Sequence, residues 1–256
     1  MNKKNFLTLL SFLLVSCSSE FSKIEARVEL NAQKNKSKLT FLQIKKEAYY
    51  LLQWSKDNAF QDEINEFKKL DEKNFPEKEK ILFTGSSSIR FWESLDEDMA
   101  PLKTLNRGFG GAHISHVIYH FNEIIKPYNP KAIVFFCGTN DLTALKTPEE
   151  TVHDFKKFYS LIRNQFGNIK VYMIGIKPSV DRFYLDEEEK IFNNSIKLLA
   201  SEDAYLEYID VWDSMLNEDG SRMPELYVED GLHMNKKGYE VWTKLVRKSL
   251  LKDFNI

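Results

Sequence analysis

The sequence predicts an α/β fold built around a parallel β-sheet. From residue 81 onward, short apolar runs alternate with longer amphipathic stretches, which is typical of successive strand-helix-strand units. The 256 residues suffice for one such domain with a full core plus some extra segments. The composition, 43% apolar and 29% charged, is typical of globular proteins. A net charge of -2 provides no basic field, so nucleic-acid binding is not expected.

Five apolar runs are predicted to be strands, and the stretches around them helices. The strands are expected at 81–85, 103–106, 131–137, 169–175 and 204–210. The helices are expected at 87–95, 112–126, 148–166, 187–201 and 236–251. Parallel strands joined by right-handed crossovers all end on one edge of the sheet. Open α/β sheets bind their ligands at that edge, so we expect the functional site there.

Residues 1–16 have the pattern of an export signal. Two lysines precede the apolar run 6–15, which is too short to span a bilayer, and the run ends Leu-Val-Ser before Cys17. This ending resembles the bacterial lipoprotein signal, which implies cleavage before Cys17 and a lipid on its sulfur. The lipid would anchor the protein to a bacterial membrane, on the periplasmic or cell-surface side. The alternative is an ordinary signal peptide with an incidental cysteine.

Three further segments follow the signal. Residues 17–38 are polar and lysine-rich with little apolar periodicity, and are predicted to be a lipidated tether. Residues 39–76 have apolar residues at helical spacing, which predicts one or two helices packing on the domain. The α/β domain is expected to cover 77–256. Its only cysteine, Cys137, ends an apolar run and is predicted to be a buried core residue rather than a nucleophile.

Four short motifs carry reactive or hydrogen-bonding residues, and all four are expected at strand ends on the carboxyl edge of the sheet. They are Gly85-Ser86-Ser87, Gly110-Gly111, Gly138-Thr139-Asn140-Asp141 and, near the C-terminus, Asp230-Gly231-Leu232-His233. Together they offer a nucleophile, hydrogen-bond donors, and an acid with a histidine, the groups that ester hydrolysis needs. Each motif alone also has a structural interpretation, as a helix cap or a turn.

These motifs resemble those of the SGNH, or GDSL-type, esterase/lipase family. The resemblance is carried by Gly85-Ser86-Ser87 with Trp92, Asn106-x-Gly108-x-Gly110-Gly111, Gly138-x-Asn140-Asp141 and Asp230-x-x-His233, in family order. It runs from about residue 81 to residue 242. It implies a three-layer α/β/α sandwich with a five-stranded, flavodoxin-like parallel sheet. The implied activity is ester hydrolysis through an acyl-enzyme intermediate, with no cofactor. The substrate is expected to be a small-molecule or glycan acyl ester, and the sequence has no long apolar lid-like segment, which favours short acyl groups.

The resemblance assigns each site residue a role. Ser87 would be the nucleophile, and the backbone N–H groups of Ser87 and Gly111 with the Asn140 amide would bind the oxyanion. His233 would take the serine proton and return it to the leaving group. This requires a base whose pKa is near neutral pH, as that of histidine ordinarily is. Asp230 would orient the imidazole and stabilise its charged form.

Two positions depart from the usual family pattern, and one arginine is a further candidate. Ser86 replaces the aspartate common before the nucleophile, and Ala112 replaces the aspartate that often follows the second glycine. Both changes concern the hydrogen bonding around the site rather than proton transfer. Arg90, one helical turn past Ser87, is expected either to bind a substrate carboxylate or phosphate, or to lie in solvent.

Two other functions are consistent with parts of the sequence. His113, His116 and His120 share one face of a predicted helix, and three histidines can hold the zinc ion of a hydrolase. However, no acidic residue interleaves with them as in a His-Glu-x-x-His site. A catalytically silent, lipid-anchored carbohydrate-binding protein of the same fold is the second alternative. Such a protein should lack Ser87, Asp230 or His233, whereas this chain has all three.

Overall fold

The computed structural model describes residues 19–254, which form two compact units divided between Ala59 and Phe60. The first unit contains helices α1 (Ser19–Lys34) and α2 (Phe41–Trp54). The predicted signal peptide and Cys17 lie outside the described residues. Within residues 19–254, no helix is both long enough and apolar enough to cross a membrane.

Helix α1 lies in the segment predicted to be a tether, and its regular structure is a correction. Phe21, Val28 and Ala32 are buried along one face of it, at spacings of seven and four residues. Apolar residues at this spacing form a helical stripe, but the intervening lysines and glutamates obscured it in the sequence. In α2, Lys45 forms an ion pair with Glu25 of α1 at 3.0 Å.

The second unit holds the sheet. Its helices are α3 (Gln61–Lys73), α4 (Ser87–Arg90), α5 (Leu95–Met99), α6 (Ile114–Tyr119), α7 (Phe121–Ile124), α8 (Thr139–Thr143), α9 (Pro148–Phe166), α10 (Asp186–Glu202) and α11 (Lys236–Asp253). Its strands are β1 (Ile81–Gly85), β2 (Thr104–Gly108), β3 (Ala132–Phe136), β4 (Lys170–Ile174) and β5 (Leu206–Ile209). Short 3₁₀ turns occur at Lys126–Tyr128, Phe183–Leu185, Asp213–Met215 and Pro224–Leu226.

All strand pairings are parallel, and the strand order is β2-β1-β3-β4-β5. This is the flavodoxin-like order, in which the direction of winding reverses between β1 and β3. The last residue of β1, Gly85, pairs with Gly108 of β2 and Phe136 of β3. The predicted five-stranded parallel sheet is therefore confirmed. Such folds bind ligands at the carboxyl ends of the strands, at the point between β1 and β3 where the winding direction reverses.

Helices cover both faces of the sheet, which confirms the predicted three-layer sandwich. One face carries Leu82, Ile133, Phe135, Val171 and Met173, which pack against α3, α6, α9 and α10. The opposite face packs against α4, α5 and α11 through a cluster that includes the buried Trp92 and Trp242. A strand buried on both faces tends to be continuously apolar, which explains why β3 is apolar throughout and β1 is apolar from Ile81 to Phe83.

The largest differences from the predicted elements are two helices that are interrupted. The helix expected at 87–95 ends at Arg90 and resumes at Leu95. Between them, Trp92 turns into the core, and its indole N–H and the Ser94 hydroxyl both donate to Asp98, each at 2.7 Å. The helix expected at 112–126 is divided at His120.

Candidate active site

The nucleophile candidate Ser87 is the first residue of α4, directly after the tight turn that ends β1. Gly85 in this turn has φ +126°, and a Cβ atom there would lie 2.0 Å from the carbonyl oxygen of Phe136. Only glycine fits this position. The turn brings the half-buried Ser87 to the carboxyl edge of the sheet, beside the point between β1 and β3 where the winding direction reverses.

Ser87, His233 and Asp230 form a continuous hydrogen-bonded chain. The Ser87 hydroxyl lies 2.9 Å from His233 Nε2, and His233 Nδ1 lies 2.5 Å from Asp230 Oδ2. Because an ionised carboxylate can only accept, His233 Nδ1 carries the proton and Nε2 is left to accept the serine proton. This is the arrangement of a nucleophile, a base and an orienting acid.

Asp230 also organises its own loop. Its Oδ1 accepts the backbone N–H groups of Leu232 and His233, both at 2.8 Å. Burial raises the pKa of the Asp230 carboxyl, but the hydrogen bonds from the His233 ring and from these N–H groups lower it below its ordinary value. The carboxylate is therefore ionised at neutral pH. The alternative role of capping the last helix belongs instead to Asn235, which accepts from Lys237 N at 2.9 Å.

An apolar cavity of about 550 Å³ opens beside the imidazole. Phe91 meets the His233 ring edge to face, with 5.0 Å between the ring centres. Val228, Met234 and Tyr239 also line the cavity. Because it opens beside His233, this cavity has room for one side of an ester whose carbonyl lies at Ser87.

The Asn140 side chain is fixed by two partners whose chemistry determines its orientation. Asn140 Oδ1 accepts a hydrogen bond from Arg182 at 2.9 Å, and Nδ2 donates to the carbonyl of Ala112 at 3.1 Å. A guanidinium can only donate and a carbonyl can only accept, so the oxygen must face Arg182. The amide holds a second N–H, and it lies against the loop that contains Gly111, which has φ +70°.

Asn106 joins this loop to α4, the nucleophile helix, which carries the candidate nucleophile Ser87. The sequence did not reveal this contact. Its Nδ2 donates to the carbonyl of Ile89 at 2.6 Å, and its Oδ1 accepts from Gly108 N at 2.9 Å. Ile89 belongs to α4, two residues after Ser87. The Asn-x-Gly spacing of the motif was a signal for such a link, although we assigned it no role.

Arg182 is a second site residue that the sequence analysis missed. It lies after β4, in a segment without any recognisable motif, and its guanidinium is mostly buried. The same segment is hydrogen-bonded to the turn that carries His233. Val180 N and Asp181 N both donate to the carbonyl of Gly231, at 2.8 and 3.1 Å. One loop thus contacts both the amide donor and the acid-histidine turn.

Replacing Asn140 by alanine should lower kcat about 10²–10³-fold with little change in KM, because an oxyanion donor acts mainly in the transition state. Steady-state hydrolysis of p-nitrophenyl acetate measures the effect. Thr143→Ala is the control, since this hydroxyl on the same helix bonds to the Thr139 carbonyl, at 2.8 Å. Equal rates in the two variants would contradict the assignment of Asn140.

The two departures from the family pattern have ordinary roles. Ser86 is buried, and its backbone N–H donates to the carbonyl of Phe136 at 2.9 Å. The Ala112 methyl is buried in the core, while its carbonyl accepts from Asn140 and from the Cys137 thiol. Cys137 is fully buried, as predicted, and burial raises the pKa of its thiol.

Arg90 meets a carboxylate, but one from its own chain. Its Nη1 lies 3.0 Å from Oε2 of Glu63 on α3. The Arg90 side chain remains 46% exposed, and it lies on α4, three residues after Ser87. The sequence indicates a substrate carboxylate or phosphate, or solvent, as the surroundings of Arg90, and it does not identify Glu63.

The three histidines proposed as zinc ligands are all buried, and the Nδ1 atoms of two of them bond to different partners within the protein. His116 Nδ1 accepts the backbone N–H of His113 at 2.9 Å, and His120 Nδ1 lies 2.6 Å from Glu123. In the part of the chain that the structure describes, no group of three or more His, Cys, Asp or Glu side chains could hold a metal ion. The geometry gives the zinc alternative no support.

The buried His113 should make the protein less stable in acid. Burial, assisted by the charge of Lys146, lowers its pKa to about 3. An unfolded histidine takes up its proton near pH 6.5. Between these values the unfolded state binds more protons, so the free energy of unfolding falls as the pH falls, by up to about 1.4 kcal/mol per pH unit.

Urea unfolding at about pH 6.5 and about pH 5 tests this effect. His113→Asn should lose less stability over this interval than the unsubstituted protein. Exposed His153 on α9 supplies the control, His153→Asn, whose pH dependence should match that of the unsubstituted protein. The same pH dependence in His113→Asn would show that His113 does not act in this way.

Comparisons with known proteins agree with this architecture. The profile of the GDSL-like Lipase/Acylhydrolase family matches residues 83–241, more than half of the chain. The chain is 26% identical over 165 residues to human platelet-activating factor acetylhydrolase IB subunit alpha2, covering 62% of this chain and 70% of the relative.

Two further similar proteins differ in the share of their own length that the match covers. N-acylneuraminate cytidylyltransferase of Escherichia coli O18:K1:H7 is 24% identical over 188 residues, which cover 72% of this chain but only 41% of the relative. The chain therefore spans less than half the length of that protein. A GDSL-like lipase from Bacteroides thetaiotaomicron has the same fold, with a TM-score of 0.63 and 20% identity over 75% of this chain and all of that one. With its sequence motifs, sheet order and family profile in agreement, the chain belongs to the GDSL-like lipase/acylhydrolase family of ester-bond hydrolases.

Proposed function

We propose that the protein is a serine esterase that works through Ser87, His233 and Asp230 and an acyl-enzyme intermediate. The observation that carries this proposal is the hydrogen-bonded chain from the Ser87 hydroxyl through His233 to Asp230, with distances of 2.9 and 2.5 Å. All three residues needed for catalysis are present in one arrangement. This favours an enzyme over a silent binding protein of the same fold.

In the first half of the reaction, Ser87 Oγ attacks the acyl carbonyl carbon while its proton moves to His233 Nε2. The carbonyl oxygen becomes an oxyanion, which the N–H groups of Ser87, Gly111 and Asn140 stabilise. The tetrahedral intermediate then breaks its bond to the alcohol oxygen, which takes the proton from His233. The alcohol leaves, and the acyl group remains as an ester on Ser87.

In the second half, water replaces the alcohol. It gives a proton to His233 Nε2 as its oxygen attacks the acyl carbon, and the intermediate collapses by breaking the bond to Ser87 Oγ. The serine recovers the proton from His233, and the carboxylic acid leaves. Asp230 keeps the imidazole in the required tautomer and stabilises its protonated form in both halves.

The proposed substrates are short-chain acyl esters, with acetyl esters first, on a small molecule or a glycan. The name of the mammalian relatives, platelet-activating factor acetylhydrolase, supports an acetyl group. The cavity beside His233 supports an alcohol part of moderate size, because the leaving alcohol must take its proton from that ring. Arg90 contributes a cationic group at the margin of the same site.

Hydrolysis of p-nitrophenyl esters of increasing acyl length, with acetylated polysaccharides alongside, tests this proposal. We expect kcat/KM to be highest for the acetyl ester and to fall at least about tenfold by the octanoyl ester, through misfit of the longer chain. Ser87→Ala is the background control. A profile that rises toward octanoyl would contradict the short-chain proposal, while leaving the serine mechanism intact.

We further propose that the protein is exported and anchored to a bacterial membrane by a lipid on Cys17. The support is the sequence alone: two lysines, a short apolar run and Leu-Val-Ser before the cysteine. In bacterial cells, the full chain should partition with membranes, and Cys17→Ser should shift it to the soluble fraction. Unchanged partitioning of Cys17→Ser would contradict the lipid anchor.

A further inference from the structure

Helix α3 contacts the end of β2 and the following loop at three places, although it precedes the region that matches the family profile. Phe60, just before the helix, packs edge to face on Phe109, with 5.6 Å between ring centres. Glu63, in the first turn of the helix, accepts a hydrogen bond from the backbone N–H of Gly110. At the far end of the helix, Asp71 forms a mostly buried ion pair with Arg107. The whole helix therefore follows the segment that carries Gly111.

The Glu63 carboxylate joins two parts of the proposed site. Its Oε2 accepts the backbone N–H of Gly110 at 3.1 Å and lies 3.0 Å from Nη1 of Arg90. Gly110 immediately precedes the proposed oxyanion donor Gly111, whereas Arg90 lies on α4, three residues after the proposed nucleophile Ser87. One side chain thus connects the oxyanion loop, defined here as 109–112, to the nucleophile helix.

The connection has a geometric reason. The N–H of Gly111 belongs to the peptide unit between Gly110 and Gly111, so its direction depends on how Gly110 is held. A Cβ on Gly110 would lie 2.7 Å from Arg90 Nη1, which shows how closely the guanidinium approaches this loop. An oxyanion donor loses much of its effect when it is displaced by a fraction of an ångström.

Charge alone does not explain the contact. A lone carboxylate next to the oxyanion loop would oppose a developing negative charge, and Arg90 offsets this. The side chains of Arg90 and Glu63 are 46% and 31% exposed, so solvent screens their field. Their main contribution is therefore to position the backbone.

We infer that Glu63 is a positioning residue. It holds the Phe109–Gly110 peptide, which limits how the next peptide can turn the Gly111 N–H that the oxyanion requires, and it ties this loop to α4 through Arg90. This inference rests on the proposed serine mechanism. It assigns helix α3, outside the matched family region, a part in the active site.

Two substitutions of Glu63 separate positioning from folding. In Glu63→Ala the acceptor for Gly110 N–H is lost, and kcat for p-nitrophenyl acetate should fall about 10- to 50-fold with KM changed less than about twofold, a part of the effect of losing a whole donor. In Glu63→Gln the side-chain oxygen still accepts this hydrogen bond, so kcat should return to within about threefold of the unsubstituted enzyme. Should Glu63→Ala not fold, Glu63→Leu is measured in its place.

The matched control is Glu66→Ala, which removes the same charge from the same helix. Glu66 pairs with Lys69 at 2.6 Å in solvent, so its loss should leave kcat unchanged. Phenylboronic acid gives an independent reading, because its tetrahedral adduct on a serine places an oxygen where the oxyanion forms. Its inhibition constant should rise with Glu63→Ala in proportion to the loss in kcat, and stay constant with Glu66→Ala.

The outcomes that would overturn the role of Glu63 differ from those that would overturn the proposed serine mechanism. Activity of Glu63→Ala equal to that of Glu66→Ala would overturn the positioning role, as would failure of Glu63→Gln to restore kcat. An unchanged boronate constant in Glu63→Ala would also overturn it. By contrast, full activity in Ser87→Ala would contradict the proposed serine mechanism itself.

Discussion

Ser87→Ala and His233→Ala should each lower kcat by about 10⁶, and the double variant should be no worse than either one. In the proposed mechanism Ser87 provides the attacking oxygen, and a serine hydroxyl 2.9 Å from Nε2 is a nucleophile only while that nitrogen can take its proton. Removing either partner therefore removes the same step. Initial rates with p-nitrophenyl acetate and thermal unfolding of each variant measure the effect and check the fold.

The neighbouring serine is the matched control for this prediction. Ser86→Ala changes a buried side chain one residue away, and its kcat should stay within about tenfold, because Ser86 has no part in proton transfer. A chelator such as EDTA should leave the unsubstituted enzyme active. If Ser86→Ala were inactive and Ser87→Ala remained active, the nucleophile would be wrongly assigned.

Asp230→Asn should lower kcat by about 10³–10⁴ while KM changes little. The carboxylate accepts the proton on His233 Nδ1 at 2.5 Å and keeps Nε2 free to act as base. An asparagine amide can instead donate to Nδ1, which favours the tautomer with the proton on Nε2. That tautomer cannot accept the proton of Ser87.

Glu229→Gln is the control for the acid. Glu229 is the exposed residue before Asp230, so this variant removes a nearby negative charge without touching the imidazole. Its kcat should match that of the unsubstituted enzyme. A similar loss in both variants would mean that the general negative field of this loop matters, rather than the hydrogen bond from Asp230 to His233.

The fold was largely predictable because the strands are buried on both faces. Burial makes β3 a continuous apolar run and the first three residues of β1 apolar, and the amphipathic helix α9 has the predicted bounds, Pro148–Phe166. Helix α1 was missed because its stripe contains only three buried residues among charged ones. The division of the helix at 87–95 depends on Trp92 turning into the core, a tertiary contact that propensity does not reveal.

The site was predictable only where its residues occur in short motifs. Ser87 and His233 were assigned from such motifs, and the structure brings them within hydrogen-bond distance across 146 positions of the chain. Glu63 and Arg182 lie in segments without a motif, and they reach the site through contacts 47 and 42 positions away. A sequence without its fold carries no signal for such pairs.

The central claim, that His233 activates Ser87 for covalent catalysis, is tested most directly by a fluorophosphonate probe. Ser87 Oγ should attack phosphorus and displace fluoride while its proton passes to His233. Peptide mass spectrometry of the labelled enzyme should then find one phosphonylated residue, Ser87, with labelling lost in Ser87→Ala and strongly slowed in His233→Ala. Labelling at another residue, or at an unchanged rate in His233→Ala, would contradict the account.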